Sequence, residues 1–369
     1  MIRDSTLFED DLNEVRQKDR IIALIKCYFT DSITVRLTCT ITELEHHDNN
    51  IIDKNRYVKR SMKLLISGGN GFLGSYVVEK AIASGIDVTV VDDMSTMNTN
   101  NLSAEVKMIR KKVEDFRTDE RFDFVLHFAA RPSPEDYIKH PVDTILSNSM
   151  GTLNMLNIAK RSNAVFLYTS SSEVYGNASV LPTPETYFGY VNPNGIRSCY
   201  DEGKRYSEAL IMAYHREYNM DVRIERPLNV YGPGIRPDGL YGRVIPRFIL
   251  SAVKGQDLTI FGDGEQTRSF LYVDDWIDAT WKILNYPDLS GEIFNVGSVS
   301  EITINSLAET IIDLTKSHSR IIHLEPREDD PFRRSADITK IKNRINWEPK
   351  ILLKEGLDKT IQWVMEKFL

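Results

Sequence analysis

From residue 62 onward, short apolar runs alternate with longer stretches in which apolar positions recur at helical spacing. The runs 62–67, 87–91, 122–128 and 164–169 are brief and rich in Val, Leu, Ile and Phe, as buried strands are. Between and around them, 75–84 and 144–161 read as helices. This alternation predicts an α/β fold, a doubly wound parallel sheet with helices on both faces. Ligands bind at the carboxyl ends of strands in such sheets, and Gly68, Asp92, Ala129 and Ser170 all fall at those ends. One crevice is expected to collect them.

Residues 1–61 do not share the pattern. Leu7-Phe-Glu-Asp-Asp-Leu-Asn-Glu-Val-Arg16 spaces its apolar residues as a helix does, and 31–42 alternate weakly like a strand. His46 and His47 sit in a polar stretch that reads as a solvated loop rather than a metal site. The whole is treated as an accessory segment. Residues 62–226 carry the regular alternation, whereas 227–369 turn to loops, short strands and helices over 226–238, 243–254 and 258–268. That second region is expected to be a smaller, mainly substrate-binding lobe, discontinuous, with some segments returning to the sheet. It closes on 351–368, a surface helix with Trp363 and Val364 on its inner face.

The first strand runs into Gly68-Gly-Asn-Gly71-Phe72-Leu73-Gly74 and then a helix. Gly68 permits the tight turn, Gly71 lets backbone N–H groups approach a pyrophosphate, and Gly74 lets helix and strand pack closely. Phe72 and Leu73 complete this cofactor-binding turn. Asp92 ends the second strand, where a carboxylate accepts hydrogen bonds from a ribose 2′-hydroxyl and repels a 2′-phosphate. The pattern therefore favours NAD over NADP, on a Rossmann-type domain spanning 62–226.

The chain has 369 residues, 41% of them hydrophobic and 27% charged, ordinary values for a globular protein with a sizeable core. A formal charge of −7 argues against a nucleic-acid partner. Cys27, Cys39 and Cys199 lack metal-like spacing and read as free thiols, Cys199 as a packing thiol. No apolar run approaches a membrane span, and the acidic start of the chain is unlike a targeting peptide, so a cytoplasmic enzyme is expected.

Tyr200-Asp-Glu-Gly-Lys204 sets a phenol and an ammonium on one helix face. A Lys⁺ beside a Tyr favours the phenolate, a form able to move protons near neutral pH. Thr169-Ser-Ser-Ser172-Glu173-Val-Tyr-Gly176 follows a strand and presents hydroxyls to the same crevice, where a serine can bond the oxygen of a sugar alcohol.

The glycine turn, Ser172-Glu-Val-Tyr-Gly176 and Tyr-x-x-x-Lys together resemble the extended short-chain dehydrogenase/reductases that act on nucleotide sugars, over about 62–369. Within them the chain is most similar to the UDP-glucuronate decarboxylase (UDP-xylose synthase) group. That similarity rests on Gly151-Thr-Leu-Asn-Met-Leu, Val191-Asn-Pro, Ser198-Cys-Tyr-Asp-Glu-Gly-Lys-Arg205, Gly262-Asp-Gly-Glu-Gln-Thr-Arg268 and Asp329-Asp-Pro331. The resemblance implies oxidation of the sugar at C4 by NAD⁺, loss of CO₂ from the resulting β-keto acid, and return of hydride to C4. It implies Tyr200 as the base and Lys204 as the group that lowers its pKa and holds the nicotinamide ribose. Ser172 would orient the C4 oxygen, Glu173 would position the sugar or a proton-donating water, and Arg334 would lie near the sugar carboxylate. Asn229 and Arg268 match diphosphate-binding positions. Arg327 is either a further anion ligand or a surface arginine. A homodimer is implied through a four-helix interface built from the Tyr200–Tyr218 helix and the helix through 151–161.

Other reactions remain open. A 4,6-dehydratase of this superfamily carries Asp-Glu where this chain has Ser172-Glu173, so the acid is missing; a 4-epimerase usually lacks the glutamate. A non-catalytic nucleotide-sugar sensor would have no need of Tyr200 and Lys204. Several departures fall on ligand contacts and leave the sugar and base undecided: Arg131 in Ala129-Ala-Arg-Pro-Ser133, where the resemblance implies Ala-Ser-Pro-Ala-Ser, Lys112 where an adenine-contacting Asp is usual, Arg243-Val-Ile-Pro-Arg-Phe248, and Arg334-Ser-Ala-Asp337.

Overall fold

The strands that the apolar runs predict form, and their length is set by where both faces of the sheet can be covered. The structure is a computed structural model that describes residues 61–96, 102–237, 239–240, 242–327 and 331–368. Apart from Ser61, the accessory segment with Cys27, Cys39, His46 and His47 lies outside the described residues, as do Asp329 and Asp330.

In chain order the strands are β1 (Lys63–Ser67), β2 (Asp87–Asp92), β3 (Lys107–Arg110), β4 (Phe124–His127), β5 (Val165–Thr169) and β6 (Val222–Pro227). There follow β7 (Val230–Tyr231), β8 (Leu258–Phe261), β9 (Thr267–Ser269), β10 (Leu271–Tyr272), β11 (Glu292–Val296), β12 (Glu301–Thr303), β13 (Ile321–Leu324) and β14 (Arg333–Arg334). The main sheet has the order β11-β6-β5-β4-β1-β2-β3, with every neighbouring pair parallel. Winding reverses between β1 and β4, which leaves a crevice at their carboxyl ends.

Successive strand residues face opposite sides, so β1 splits its side chains between two cores. Leu64 and Ile66 join a core with Val77, Trp276 and Leu307, under helices Phe72–Ala83, Val273–Asn285 and Ile304–Thr315. Leu65 joins another with Met155, Phe166 and Ile211, under helices Pro141–Ser162 and Ser198–Tyr218. Both of the latter helices end where an asparagine, Asn163 or Asn219, adopts the left-handed conformation (φ 52° and 53°) that stops helix propagation. Pro141 starts the first of them three residues earlier than the periodicity predicts, because its fixed φ suits a first helical turn.

The remaining strands are short. β12, β9 and β14 form a small sheet in which Arg334 lies in register with Arg268, and β11 returns to the edge of the main sheet. The last helix is Leu353–Phe368, and its buried face is Leu357, Ile361 and Val364. Trp363, expected on that face, is only half-buried: it falls off the i, i+4, i+7 stripe and its ring lies edge-on to Phe368. Among the described residues no helix is long and apolar enough to cross a membrane.

Asp275 ties this closing segment to the body. Its Oδ2 accepts hydrogen bonds from the backbone N–H groups of Lys350 (3.0 Å) and Ile351 (2.8 Å), while its carbonyl accepts from the Trp347 indole at 3.2 Å. Asp275→Ala should strand both amides and cost about 1–3 kcal/mol, read as a lower urea midpoint at unchanged m-value.

Candidate active site

Every expected site residue lines one crevice, a cavity of about 380 Å³. Gly68, Gly71, Phe72, Leu73, Gly74, Asp92 and Ala129 border one end, Ser172, Glu173, Tyr200 and Lys204 the centre, and Asn229, Arg268, Arg327 and Arg334 the other.

At the first end the backbone has no room for side chains. Gly68 has φ +72°, and a Cβ there would lie 2.6 Å from the Ala129 nitrogen. A Cβ on Gly74 would lie 2.1 Å from the Gly68 carbonyl oxygen. Gly71 caps helix Phe72–Ala83 without a side-chain bond, and the first turn carries no acid, so the amide end of the helix suits an anion. The Asp92 carboxylate accepts from Asn70 N–H (3.0 Å) and Met94 N–H (2.8 Å), one on each oxygen, which leaves lone pairs for two hydroxyls. Burial raises its pKa, and these two amides work the other way.

Tyr200 and Lys204 sit in the centre, both buried, on helix Ser198–Tyr218. The Tyr200 ring stacks on Tyr137 at 5.6 Å. Burial pushes the phenol above its ordinary value; a hydrogen bond with Ser171 lowers it, Glu173 and Asp201 raise it further, and Arg243 lowers it. Lys204 was expected to be the lowering charge. Its ammonium instead turns to the Thr169 carbonyl at 2.7 Å, 5.7 Å from the Tyr200 ring centre, and burial has reduced its own pKa to about 7. Desolvation thus blunts the cation that the sequence pattern takes at full charge.

The serine whose hydroxyl favours the Tyr200 phenolate is Ser171; Ser172 has no such effect. Ser172 opens the 3₁₀ turn Ser172–Tyr175 and is buried, whereas Ser171 is half-buried and caps that turn, its hydroxyl accepting from the Glu173 N–H at 3.2 Å. In a run of three serines the alternating direction of the extended chain decides which one points at the tyrosine, and composition does not reveal it.

Glu173 lies between two arginines, Arg197 and Arg334, each ion-paired to one of its oxygens. Burial alone would raise its carboxyl, but the two cations outweigh it and hold Glu173 well below the usual range. Asp201, also buried, is pushed up by desolvation and by Glu173, with Arg197 opposing. Arg197 and Asp201 were not singled out in the sequence; their i, i+4 spacing beside Tyr200 was the available signal. On Arg334, Nη1 is taken by Glu173, while buried Nε and Nη2 have no hydrogen-bond partner among the described residues.

At the far end Asn229, with φ +43°, donates to the Ser269 carbonyl at 2.8 Å. Arg268 is buried and donates to the Thr267 carbonyl at 2.8 Å. Arg327 stacks over the Phe261 ring at 4.1 Å and donates to the Leu240 carbonyl at 3.0 Å. Arg247, part of the Arg243–Phe248 departure but not assigned a role, adds a fourth cationic or polar group; burial and Arg327 reduce its pKa to about 10. Of the departures, Arg131 and Arg243 line the crevice, and Lys112 is exposed at its rim in an ion pair with Asp143 at 2.9 Å. Cys199 is buried with Sγ 3.6 Å from the Tyr137 carbonyl oxygen, and burial raises its pKa, as suits a packing thiol.

A parallel sheet with a glycine-lined dinucleotide crevice and a Tyr–Lys pair at its centre defines an oxidoreductase-type nucleotide-binding enzyme. The model of the NAD dependent epimerase/dehydratase family matches residues 64–297. UDP-glucuronic acid decarboxylase 5 of Arabidopsis thaliana is 43% identical over 309 residues, 82% of this chain and 89% of the relative. UDP-glucuronic acid decarboxylase 1 of Danio rerio is 40% identical over 310 residues, 83% and 73% respectively. Among solved structures, UDP-glucose 4-epimerase of Thermotoga maritima superposes with a TM-score of 0.78 at 30% identity, covering 84% of this chain and all of that one (100%). The dTDP-glucose 4,6-dehydratase of Streptomyces venezuelae, solved with NAD bound, gives 0.74 at 27% identity, covering 83% and 98%. The chain belongs to the NAD dependent epimerase/dehydratase family, and NAD is its cofactor.

The crevice fits that group: a close-approach turn for pyrophosphate, and a carboxylate for a ribose diol. Asp92→Ala should weaken NAD binding by about 1–3 kcal/mol, some 5- to 150-fold in Kd by calorimetry, and narrow the preference over NADP.

Proposed function

We propose that the enzyme decarboxylates a nucleotide-linked uronic acid of the UDP-glucuronate type, giving the corresponding pentose (UDP-xylose type). The observation that carries this reading is the Arg334 guanidinium. Arg334 lines the crevice, and its Nε and Nη2, one edge of the fork, are buried without a hydrogen-bond partner among the described residues; once the side chains covering it move aside, such an edge suits a carboxylate bound through two parallel hydrogen bonds. A neutral sugar would leave those donors unmet, at a cost of about 1–3 kcal/mol.

Bound NAD⁺ supplies a reversible two-electron oxidation at the sugar C4, which turns the C5 carboxylate into that of a β-keto acid. Tyr200 accepts the C4 hydroxyl proton and later returns it, and Ser171 orients the shared oxygen. Lys204 hydrogen-bonds the nicotinamide ribose. When the C5–carboxyl bond breaks, its electron pair moves into the enolate and CO₂ leaves; a proton added at C5 completes the exchange. Glu173, held ionised by Arg197 and Arg334, is an acceptor that positions the sugar or a proton-donating water rather than a proton source itself. Ser172 packs the turn that carries Glu173. Asn229, Arg268 and Arg327 bind the diphosphate, with Arg268 beside Arg334 on neighbouring strands. The reading also draws support from the sequence relatives, whose names specify UDP-glucuronic acid decarboxylation.

A second copy of the chain would pack on helices Pro141–Ser162 and Ser198–Tyr218, whose outer faces expose Val142, Ile145, Met150 and Tyr206.

Incubation of the purified protein with UDP-glucuronate and NAD should release CO₂ and a pentose nucleotide. An isomer formed without CO₂ from a neutral UDP-sugar would show an epimerase instead. Tyr200→Phe should lower kcat by about 10²- to 10⁴-fold with an unchanged circular dichroism spectrum. Arg334→Ala should lower kcat/KM for the uronic acid by about 1.5–3 kcal/mol, roughly 10- to 150-fold.

A further inference from the structure

Lys204 is buried with no carboxylate in ion-pairing contact among the described residues, and as an ammonium it offers the proposed mechanism three donors where the neutral amine offers two. It lies at the end of β5, with Nζ 4.6 Å from the Tyr168 ring centre and 2.7 Å from the Thr169 carbonyl oxygen. Aromatic face and carbonyl both favour a cation, but neither carries a compensating charge.

On the opposite face of the same strand end sits Glu225 of β6, fully buried. Successive residues of β5 point to opposite faces, so Tyr168 underlies Lys204 while Thr169 turns its hydroxyl toward Glu225. Thr169 Oγ1 donates to Glu225 Oε1 at 2.8 Å, and Thr280 Oγ1, from helix Val273–Asn285, donates to Oε2 at 2.7 Å. A single residue, Thr169, thus accepts from the cation through its carbonyl and donates to the anion through its hydroxyl. Two donors aimed at one carboxylate favour its ionised form. No Lys, Arg or His lies within ion-pairing distance of Glu225 among the described residues.

The other groups near Lys204 are otherwise engaged. Glu208, one turn along the same helix, is bound by Arg226 through both oxygens, at 2.9 and 2.5 Å. His127 of β4 is buried, its pKa reduced to about 3 by burial and by Lys204, so it is neutral. Tyr168 is raised well above its ordinary value by burial and stays a phenol, and so does Tyr200 in the cofactor-free protein. On the Glu225 side, β11 places Phe294 in register. Glu208 and Glu225 are the two carboxylates whose charge favours the Lys204 ammonium, Glu208 the more strongly, and of the two only Glu225 has no cation paired to it among the described residues.

We infer that Glu225 is a positioning residue for the reaction: through Thr169 it is a second buried counter-charge, beside the Arg226-paired Glu208, that helps keep the Lys204 ammonium protonated in a dry crevice. This rests on the role given to Lys204 above, but not on the identity of the sugar. Burial drives the two groups in opposite directions, Lys204 down to about 7 and Glu225 up to about 7, and each partly reverses the shift of the other. The sign is therefore definite. Removing the anion lowers the Lys204 pKa, so the ammonium is lost at a lower pH.

Competitive acetylation of the cofactor-free protein with acetic anhydride, followed residue by residue by mass spectrometry, gives the Lys204 titration midpoint without any turnover. Glu225→Gln should lower that midpoint by about 0.5–1 pH unit, and Glu225→Asp should keep it near the parent value. The alkaline limb of kcat/KM against pH should move to lower pH by the same amount in Glu225→Gln. If Glu225→Gln does not fold, Thr280→Val, which removes one donor to the same carboxylate, should lower the midpoint by a smaller step. A Lys204 midpoint unchanged in whichever variant folds overturns the inference. Failure of the uronic acid to react leaves the labelling result standing on its own.

Discussion

A buried ion pair holds helix Ser198–Tyr218 against the sheet. Arg226 of β6 grips Glu208 of helix Ser198–Tyr218 through two parallel hydrogen bonds, and its Nη1 donates to the Tyr175 hydroxyl at 2.8 Å. Ser170, at the end of β5, donates to the same Glu208 oxygen at 2.5 Å. One guanidinium thereby joins the helix that carries Tyr200 and Lys204, the turn that carries Glu173, and two central strands. A buried pair of this kind contributes little net stability relative to an apolar replacement, and breaking one half of it costs about 3–5 kcal/mol. Its value here is geometric. The depth of the helix relative to the strand ends is set by a contact with two fixed hydrogen-bond lengths rather than by apolar packing alone.

The same logic extends across the crevice. Glu173 sits on a turn of the first lobe, yet one of its two cations arrives from β14, near the end of the chain. The small sheet of β12, β9 and β14 sets Arg334 next to Arg268, so the arginines proposed for carboxylate and diphosphate are delivered by one rigid element. β11, in contrast, comes from the same stretch of sequence and completes the main sheet, where Asn295 accepts from the Tyr175 hydroxyl at 2.6 Å. The two regions share a hydrophobic core as well: Leu64 and Ile66 pack with Trp276, Leu307 and Ile361.

Four strands of the main sheet, β1, β2, β4 and β5, were legible because they are continuous apolar runs; β3, β6 and β11 carry charged residues that break such a run and were not read. The glycine turn was legible because its spacing answers a steric demand seen directly at Gly68 and Gly74. Boundaries were less so: Pro141 and the left-handed Asn163 and Asn219 fix helix ends by local backbone chemistry that periodicity ignores. In the site, residues defined by one motif were found together, while those defined by burial were not. Ser171 was passed over for Ser172 because side-chain direction in a serine run depends on strand register. Glu225 was invisible because β6 reads Val-Arg-Ile-Glu-Arg-Pro, where a glutamate between two arginines looks like one more surface charge, and its meaning comes from Lys204 across the sheet. The muted charge of Lys204 is likewise a property of its surroundings.

The free edge of Arg334 bears on the stereochemistry of the proposed step. In the proposed reaction a planar fork holding the carboxylate by both oxygens would pin the carboxyl carbon at one point, while the Ser171 and Tyr200 hydroxyls would hold the sugar oxygen at another. A ring fastened at those two points cannot tilt freely, so the angle between the breaking carbon–carbon bond and the adjacent ketone plane is imposed by the protein. Electron flow into the ketone π* orbital is greatest when that bond stands upright to the plane, so Arg334 would act as a stereoelectronic guide as well as an electrostatic anchor.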